Sequence, residues 1–124
     1  MNIFDILGPV MVGPSSSHTA GAVRIGLVTR RLLGEKVKTA RIGMYGSFAA
    51  TGKGHGTDRA LVAGLLGMEP DDTRIPGSFD EARRENMEFS IEEASLSGAH
   101  PNTALLKVEG VSGRTLEVQA SSLS

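Results

Sequence analysis

Three consecutive serines and a histidine, Ser15, Ser16, Ser17 and His18, form the first group of side chains suited to binding or catalysis. Thr19 follows them, and a stretch with helical periodicity begins directly afterwards. The first turn of a helix has N–H groups without intrahelical partners and carries the positive end of the helix dipole, so carboxylates and phosphates bind well there. A helix needs only one capping hydroxyl, which Ser17 or Thr19 would supply. The segment therefore predicts either an anion site or a helix cap with an adjoining polar loop.

A second group surrounds His55 in the segment Gly-Lys-Gly-His-Gly-Thr-Asp, which precedes another predicted helix. The flanking glycines leave the imidazole clear of neighbouring side chains and allow a ligand to approach the backbone. Asp58 is placed to orient the ring or to neutralise Lys53. The alternative is structural, with Thr57 or Asp58 capping the helix. The segment lacks the GKS or GKT ending of a phosphate-binding P-loop.

The remaining histidine, His100, lies in a His-Pro-Asn sequence that is typical of a turn before a strand, so we interpret it as structural. The three histidines are separated by 37 and 45 residues, which is not the spacing of zinc ligands. Cysteine is absent. This chain alone therefore offers no disulfide, cysteine nucleophile, thiolate zinc site or iron–sulfur cluster, and no metal ligand is predicted.

The length of 124 residues and mass of 13.0 kDa fit one domain, 1–124. The formal charge of −1, with no block of basic residues, gives no electrostatic reason to expect nucleic-acid binding. The sequence has no apolar run of membrane-spanning length, and its first residues lack the basic patch of a signal peptide, so we expect a cytoplasmic protein. The last four residues carry no stop signal, which suggests a chain cut from a longer one.

The hydrophobic pattern predicts an α+β protein with helices packed on one face of a mainly antiparallel sheet. Helices come early in the sequence and strands come late. Ser78, with Glu81 three residues on, predicts a capping box for a short charged helix. An extended segment is expected over 1–13, helices over 20–33, 47–51, 58–66 and 78–86, and strands over 37–45, 87–91, 103–109 and 115–120.

Four segments resemble a known family: GPSSSHTAG, YGSFAATGKGHGTD, DDTRIP and AHPNTA. Together they closely resemble the beta chain, or beta domain, of iron–sulfur L-serine dehydratases, over essentially the whole sequence. A related fold serves as the allosteric substrate-binding domain of some phosphoglycerate dehydrogenases. Many beta chains continue through a serine/glycine linker into a ligand-binding ACT domain, whereas this sequence stops at Ser124. Either the chain is truncated or it is a short form without that domain, and no effector regulation is inferred.

The resemblance implies a lyase that converts L-serine to pyruvate and ammonia together with an alpha chain. A four-iron four-sulfur cluster, ligated by three cysteines of that alpha chain, is implied as the cofactor, and its open iron would take the serine hydroxyl as a Lewis acid. The implied partners are the cysteine-containing alpha chain and L-serine, and a homodimer is compatible with the resemblance. No nucleic acid and no membrane are expected as partners.

The matching positions imply roles for individual residues. His55 would be the base that removes the alpha proton, because an imidazole titrates near neutral pH, and His18 would be the second catalytic residue. Residues expected to bind or support the substrate are Ser15, Ser16, Ser17, Thr19, Lys53, Thr57 and Asp58. The alternative is an anion-binding regulatory or interaction module with no catalytic residue, which would need hydrogen-bond donors but no titratable base.

Overall fold

The structure is a computed structural model that describes residues 5–6, 10–12, 18–52, 56–95, 98–99 and 101–122. Short strands come first, then three helices around a long strand, a fourth helix and three further strands. The elements are β1 (Asp5–Ile6), β2 (Val10–Val12), α1 (His18–Leu33), β3 (Val37–Gly46), α2 (Ser47–Gly52), α3 (Thr57–Leu65), α4 (Ser78–Arg84), β4 (Glu88–Glu93), β5 (Asn102–Gly110) and β6 (Thr115–Ser122).

All six strands belong to one sheet with the order β1-β6-β5-β3-β4, and β2 also pairs with β6. The pairs β3–β5 and β5–β6 are antiparallel, whereas β4 is parallel to β3, and β1 and β2 are parallel to β6. The α+β fold is confirmed, with one difference in detail: the sheet is mixed rather than purely antiparallel. The reason is the long helical connection from β3 to β4, because a helical crossover returns the chain in the same direction.

The helices pack on one face of the sheet, and alternate residues of the central strands meet them there. Ile42 of β3, Leu106 of β5 and Val118 of β6 are fully buried in this core. The opposite face carries charge, including an ion pair between Arg41 and Glu92 at 3.4 Å. The period-2 alternation of the strands therefore gives a one-sided core, as predicted from the sequence.

Helices α1 and α3 cross in direct backbone contact at a pair of glycines. A Cβ atom added to Gly64 would lie 2.8 Å from the Cα of Gly26 and still closer to the carbonyl oxygen of Val23. A Cβ atom on Gly26 would meet the carbonyl oxygen of Leu61 at 2.5 Å. The unusually high glycine content is thus explained in part by close backbone approach, which no other residue type permits here.

Two helix caps differ from the sequence predictions. The N-cap of α3 is Gly56, with a left-handed φ of 96° and no side-chain cap, so neither Thr57 nor Asp58 caps the helix. The N-cap of α4 is Gly77, and the predicted capping box at Ser78 is wrong. The Ser78 hydroxyl instead donates to the carbonyl oxygen of Arg59 at 2.7 Å, because α4 packs under α3 and offers it a tertiary partner.

The carboxylate of Glu35 links the connection that follows α1 to the turn between β5 and β6 through hydrogen bonds. Oε1 of Glu35 accepts hydrogen bonds from the hydroxyl of Ser112 at 2.7 Å and from its backbone N–H at 2.9 Å. These bonds stabilise the ionised form, so the Ser112 hydroxyl first and the Ser112 amide second lower the pKa of Glu35 from its usual value of 4.5.

This lowered pKa gives a pH-dependent contribution to stability. The contribution is complete above pH 4.5 and is lost as the pH falls through the lower pKa of the folded state. We therefore expect Glu35→Gln to lower the Tm near pH 7, and the difference from the wild type to shrink as thermal melts are taken down to pH 3. Glu88→Gln, at an exposed position of β4, serves as the control. A difference that is constant with pH would contradict the assignment.

Candidate functional site

The N-termini of α1 and α3 lie side by side at one end of the molecule. The helices run in the same direction, since Gly56 at the start of α3 adjoins Thr19 in the first turn of α1, whereas Gly64 near the end of α3 meets Gly26 further along α1. Nη1 of Arg30, one turn beyond Gly26, donates to the carbonyl oxygen of Leu65 at 3.0 Å. Each helix start carries the partial positive charge of its dipole and unpaired amide groups. The start of α1, whose first turn has no acidic residue, therefore gives a favourable environment for an anion, and the start of α3, whose first turn contains Asp58, lies beside it.

The structure brings together the described ends of the two segments singled out in the sequence. A Cβ atom on Gly56 would lie 3.9 Å from Oγ1 of Thr19, so the start of α3 adjoins the first turn of α1. The backbone of His18 forms the first residue of α1. Five of the predicted site residues lie outside the described residues: Ser15, Ser16, Ser17, Lys53 and His55.

The first turn of α3 holds two predicted site residues in buried positions. Thr57 is 1% exposed and Asp58 is 6% exposed. Oδ1 of Asp58 accepts from the backbone N–H of Arg59 at 2.7 Å and lies 3.7 Å from the guanidinium Nη1 of the same residue. A carboxylate in a first turn interacts favourably with the helix dipole. Asp58 therefore stabilises the start of α3, while its predicted relation to His55 or Lys53 lies outside the described residues.

Aromatic side chains fix this first turn to the rest of the fold. The guanidinium of Arg59 lies over the ring of Phe79, 4.7 Å from its centroid. Phe79 in turn packs against Phe89 of β4, with 4.8 Å between ring centroids. Such contacts restrict the position of the helix start, which is a requirement for a preorganised binding site.

Two buried polar residues at the ends of β5 and β6, Asn102 and Ser122, were not among the site residues predicted from the sequence. Along β6, the core positions Leu116, Val118 and Ala120 are apolar, but the next core position is Ser122. Along β5, the same alternation ends at Asn102, which is buried. The break in the apolar alternation was the available signal, because a buried position in such a strand normally carries an apolar side chain.

These strand ends lie at the same end of the sheet as the helix starts. At the far end, Nη1 of Arg114, just after the β5–β6 turn, donates to the carbonyl oxygen of Leu33 at the end of α1 at 2.9 Å. The N-terminus of α1 therefore lies over the opposite end of these strands, where Asn102 and Ser122 are found. Nearby, the carbonyl oxygen of Pro101 accepts from the N–H of Ser47, which agrees with a structural turn, while His100 lies outside the described residues.

The residues of this chain do not fit an iron–sulfur cluster. The sequence has no cysteine. Among the described residues no three His, Asp or Glu side chains are grouped closely enough to hold a metal ion. The helix starts provide hydrogen-bond donors and the positive ends of helix dipoles. Such groups bind a carboxylate or another small anion. In the same part of the chain we find no helix with the length and apolarity required to span a bilayer.

Comparison with known proteins shows the family to which the chain is similar. The family model for the serine dehydratase beta chain matches residues 2–100. The probable L-serine dehydratase beta chain of Bacillus subtilis (strain 168) is 48% identical over 114 residues, covering 90% of this chain and 51% of the relative. The L-serine dehydratase beta chain of Peptoniphilus asaccharolyticus is 43% identical over 121 residues, covering 97% and 54%.

L-serine dehydratase 1 of Escherichia coli (strain K12) is 41% identical over 97 residues, covering 70% of this chain and 21% of that longer protein. The chain spans about half the length of the two beta chains that it matches. The matched segments include both of the glycine-flanked groups found in the sequence. The chain belongs to the serine dehydratase beta chain family.

Proposed function

We propose that this chain supplies the carboxylate-binding and proton-transfer part of an L-serine dehydratase active site. The single observation that carries the proposal is the apposition of Thr19 and Gly56, which brings two parallel helix N-termini together beside both sequence segments. The relatives named L-serine dehydratase beta chain support L-serine as the substrate. The regulatory alternative uses the same helix N-termini but has no observation of its own in its favour.

Binding of the substrate carboxylate is assigned to the start of α1. Its first turn contains no acidic residue, so the helix dipole there is not offset by a negative side chain. Thr19 contributes a hydroxyl next to Gly56, and Ser15, Ser16 and Ser17 precede it in the chain. His18, at the helix start, adds an imidazole donor. Hydroxyl and amide donors of this kind orient a carboxylate without requiring a metal.

Removal of the alpha proton is assigned to His55, one peptide bond away from Gly56. The proton moves from the alpha carbon to an imidazole nitrogen, and the bond between the beta carbon and its hydroxyl oxygen breaks. Proton and hydroxide together amount to one water lost, and an enamine remains. Hydrolysis of the tautomerised enamine consumes one water and gives pyruvate and ammonia, so the net reaction of L-serine is the loss of ammonia. Lys53, Thr57 and Asp58 are the proposed supporting residues, and no group of this chain is assigned to hydroxyl departure.

The alpha chain is the proposed partner, and the four-iron four-sulfur cluster is assigned to it. The lack of cysteine in this chain and the absence of a metal-ligating group among its described residues support this division. When bound, the cluster supplies Lewis-acid chemistry. A cytoplasmic location agrees with a chain that uses no disulfides.

Reconstitution tests the proposed function. The purified chain is mixed anaerobically with a cognate alpha chain carrying its cluster, and pyruvate formation from L-serine is followed. We expect the mixture to be active and this chain alone to be inactive. The control is the alpha chain alone. Pyruvate formation by the metal-free chain, or an inactive mixture with an intact cluster, would contradict the proposal.

The anion site itself is testable through Thr19. Loss of one hydrogen bond to a charged ligand costs about 1.5–3 kcal/mol, so we expect Thr19→Val to weaken sulfate binding to the chain about tenfold or more in calorimetry. Thr29→Val on the same helix is the matched control, because the hydroxyl of Thr29 is already bonded to the carbonyl oxygen of Ile25 at 2.9 Å. Equal sulfate affinity of the Thr19 variant and the wild type would exclude Thr19 from the site.

A further inference from the structure

Ser122 is a buried hydroxyl at a position where the sheet otherwise carries apolar side chains. It is 0% exposed and follows Leu116, Val118 and Ala120 on the face of β6 that packs against the helices. Its Oγ has no hydrogen-bond partner among the described residues. A buried hydroxyl without a partner lowers the stability of a folded protein, so its presence needs a functional or structural reason.

The neighbouring residue shows the ordinary solution at the same end of the strand. Oγ of Ser121, on the opposite face of the sheet, lies 2.6 Å from Oγ1 of Thr103 on β5, and both residues are buried. Ser121 is therefore satisfied within the fold. Ser122 lies on the other face of the sheet, which is turned toward the helices.

Ser122 lies at the same end of the sheet as the candidate site. In the sheet register it pairs with Val12 of β2, the strand that precedes α1 in the order of elements. The antiparallel register of β5 and β6, continued by one residue beyond Thr103 and Ser121, brings the buried Asn102 opposite Ser122. Ser122 thus lies on the face of the sheet that packs against the helices, at the end of the sheet where α1 begins.

We propose that Ser122 is a further binding residue of the anion site, and that its Oγ–H donates to the carboxylate of the bound amino acid. The inference rests on the proposed function for the identity of the ligand, but not for the existence of the site. The carboxylate accepts hydrogen bonds from the amides of α1 and from Thr19 on the helix side, and from Ser122 on the sheet side. Because Ser122 is withdrawn from solvent, its hydrogen bond forms in a desolvated place, where it is stronger than in water.

Ser122→Ala tests the inference in two measurements on the full chain. Removal of an unpartnered hydroxyl should leave the Tm unchanged or raise it, whereas calorimetry with sulfate should show affinity about tenfold or more weaker. In the enzyme assembled with the alpha chain, KM for L-serine should rise with kcat largely kept, because the bond is made in both the ground state and the transition state. Ser121→Ala is the matched control and should lower the Tm without changing sulfate affinity.

Each outcome decides the inference. Wild-type affinity and KM in Ser122→Ala would overturn it, as would a loss of affinity accompanied by a lower Tm, which indicates a structural role. A wild-type chain that binds no sulfate would also overturn it. If the assembled wild-type enzyme does not act on L-serine, the proposed function is wrong, and the sulfate titrations of wild type and variant then decide the inference by themselves.

Discussion

We expect His55→Ala to lower kcat of the assembled enzyme by about two to four orders of magnitude, the usual loss when a general base is removed. An imidazole suits this role because its ordinary pKa is close to neutral pH. It can therefore accept the alpha proton and release it again in each cycle. The substitution should leave the Tm nearly unchanged, because flanking glycines provide little packing for the ring. Steady-state kinetics of pyruvate formation, with thermal melts of the same preparations, provide the measurement.

His18→Ala is the comparison variant, and we expect part of its effect in KM, since an imidazole that positions the carboxylate contributes to ground-state binding. Exchange of the alpha proton with solvent separates the two roles further. A variant without the base should stop exchange, whereas a variant impaired only in hydroxyl departure should still exchange. Near-normal turnover of His55→Ala would exclude it as the base and make His18 the leading candidate.

The second large effect is expected at the crossing of α1 and α3. Gly64→Leu should lower the free energy of unfolding by about 3 kcal/mol, because overpacking of a tight contact costs about 1–3 kcal/mol and this contact is between backbones. The added side chain would meet the carbonyl oxygen of Val23 and the Cα of Gly26, neither of which is a flexible group that can move aside. Urea titration of the variant and the wild type measures the difference.

Gly77→Ala is the matched control, because a Cβ atom there has no heavy atom within 4 Å and the backbone has an ordinary φ of −99°. Its cost should be confined to the weaker N-cap, about 1 kcal/mol or less. The crossing also sets the distance between Thr19 and Gly56, so Gly64→Leu should weaken sulfate binding as well. An unchanged unfolding free energy for Gly64→Leu would show that the helices do not meet at these glycines.

The sequence by itself determined the local elements of this protein. The end of α1 at Gly34 is an example: glycine adopts the left-handed backbone, with φ of 80°, that closes a helix without strain. Turn chemistry likewise determines the hairpin through Gly110 and Gly113, and period-2 alternation determines the buried position of Met44. Both are properties of neighbouring residues. The two segments around His18 and His55 were identified for the same reason, as local groups of chemically suited side chains.

Only the tertiary structure decided what these local groups meet. The hydroxyl of Ser78 was predicted to cap α4, yet the N-cap is Gly77 and the hydroxyl donates to the carbonyl oxygen of Arg59, which helix packing brings within 2.7 Å. The parallel direction of α1 and α3 is shown by two contacts together, Gly56 with Thr19 and Gly64 with Gly26, which join positions far apart in the chain. Ser122 pairs in the sheet register with Val12, a pairing between the two ends of the described chain. Sequence patterns report short-range geometry, whereas a binding site is formed where packing of distant segments offsets their loss of chain entropy.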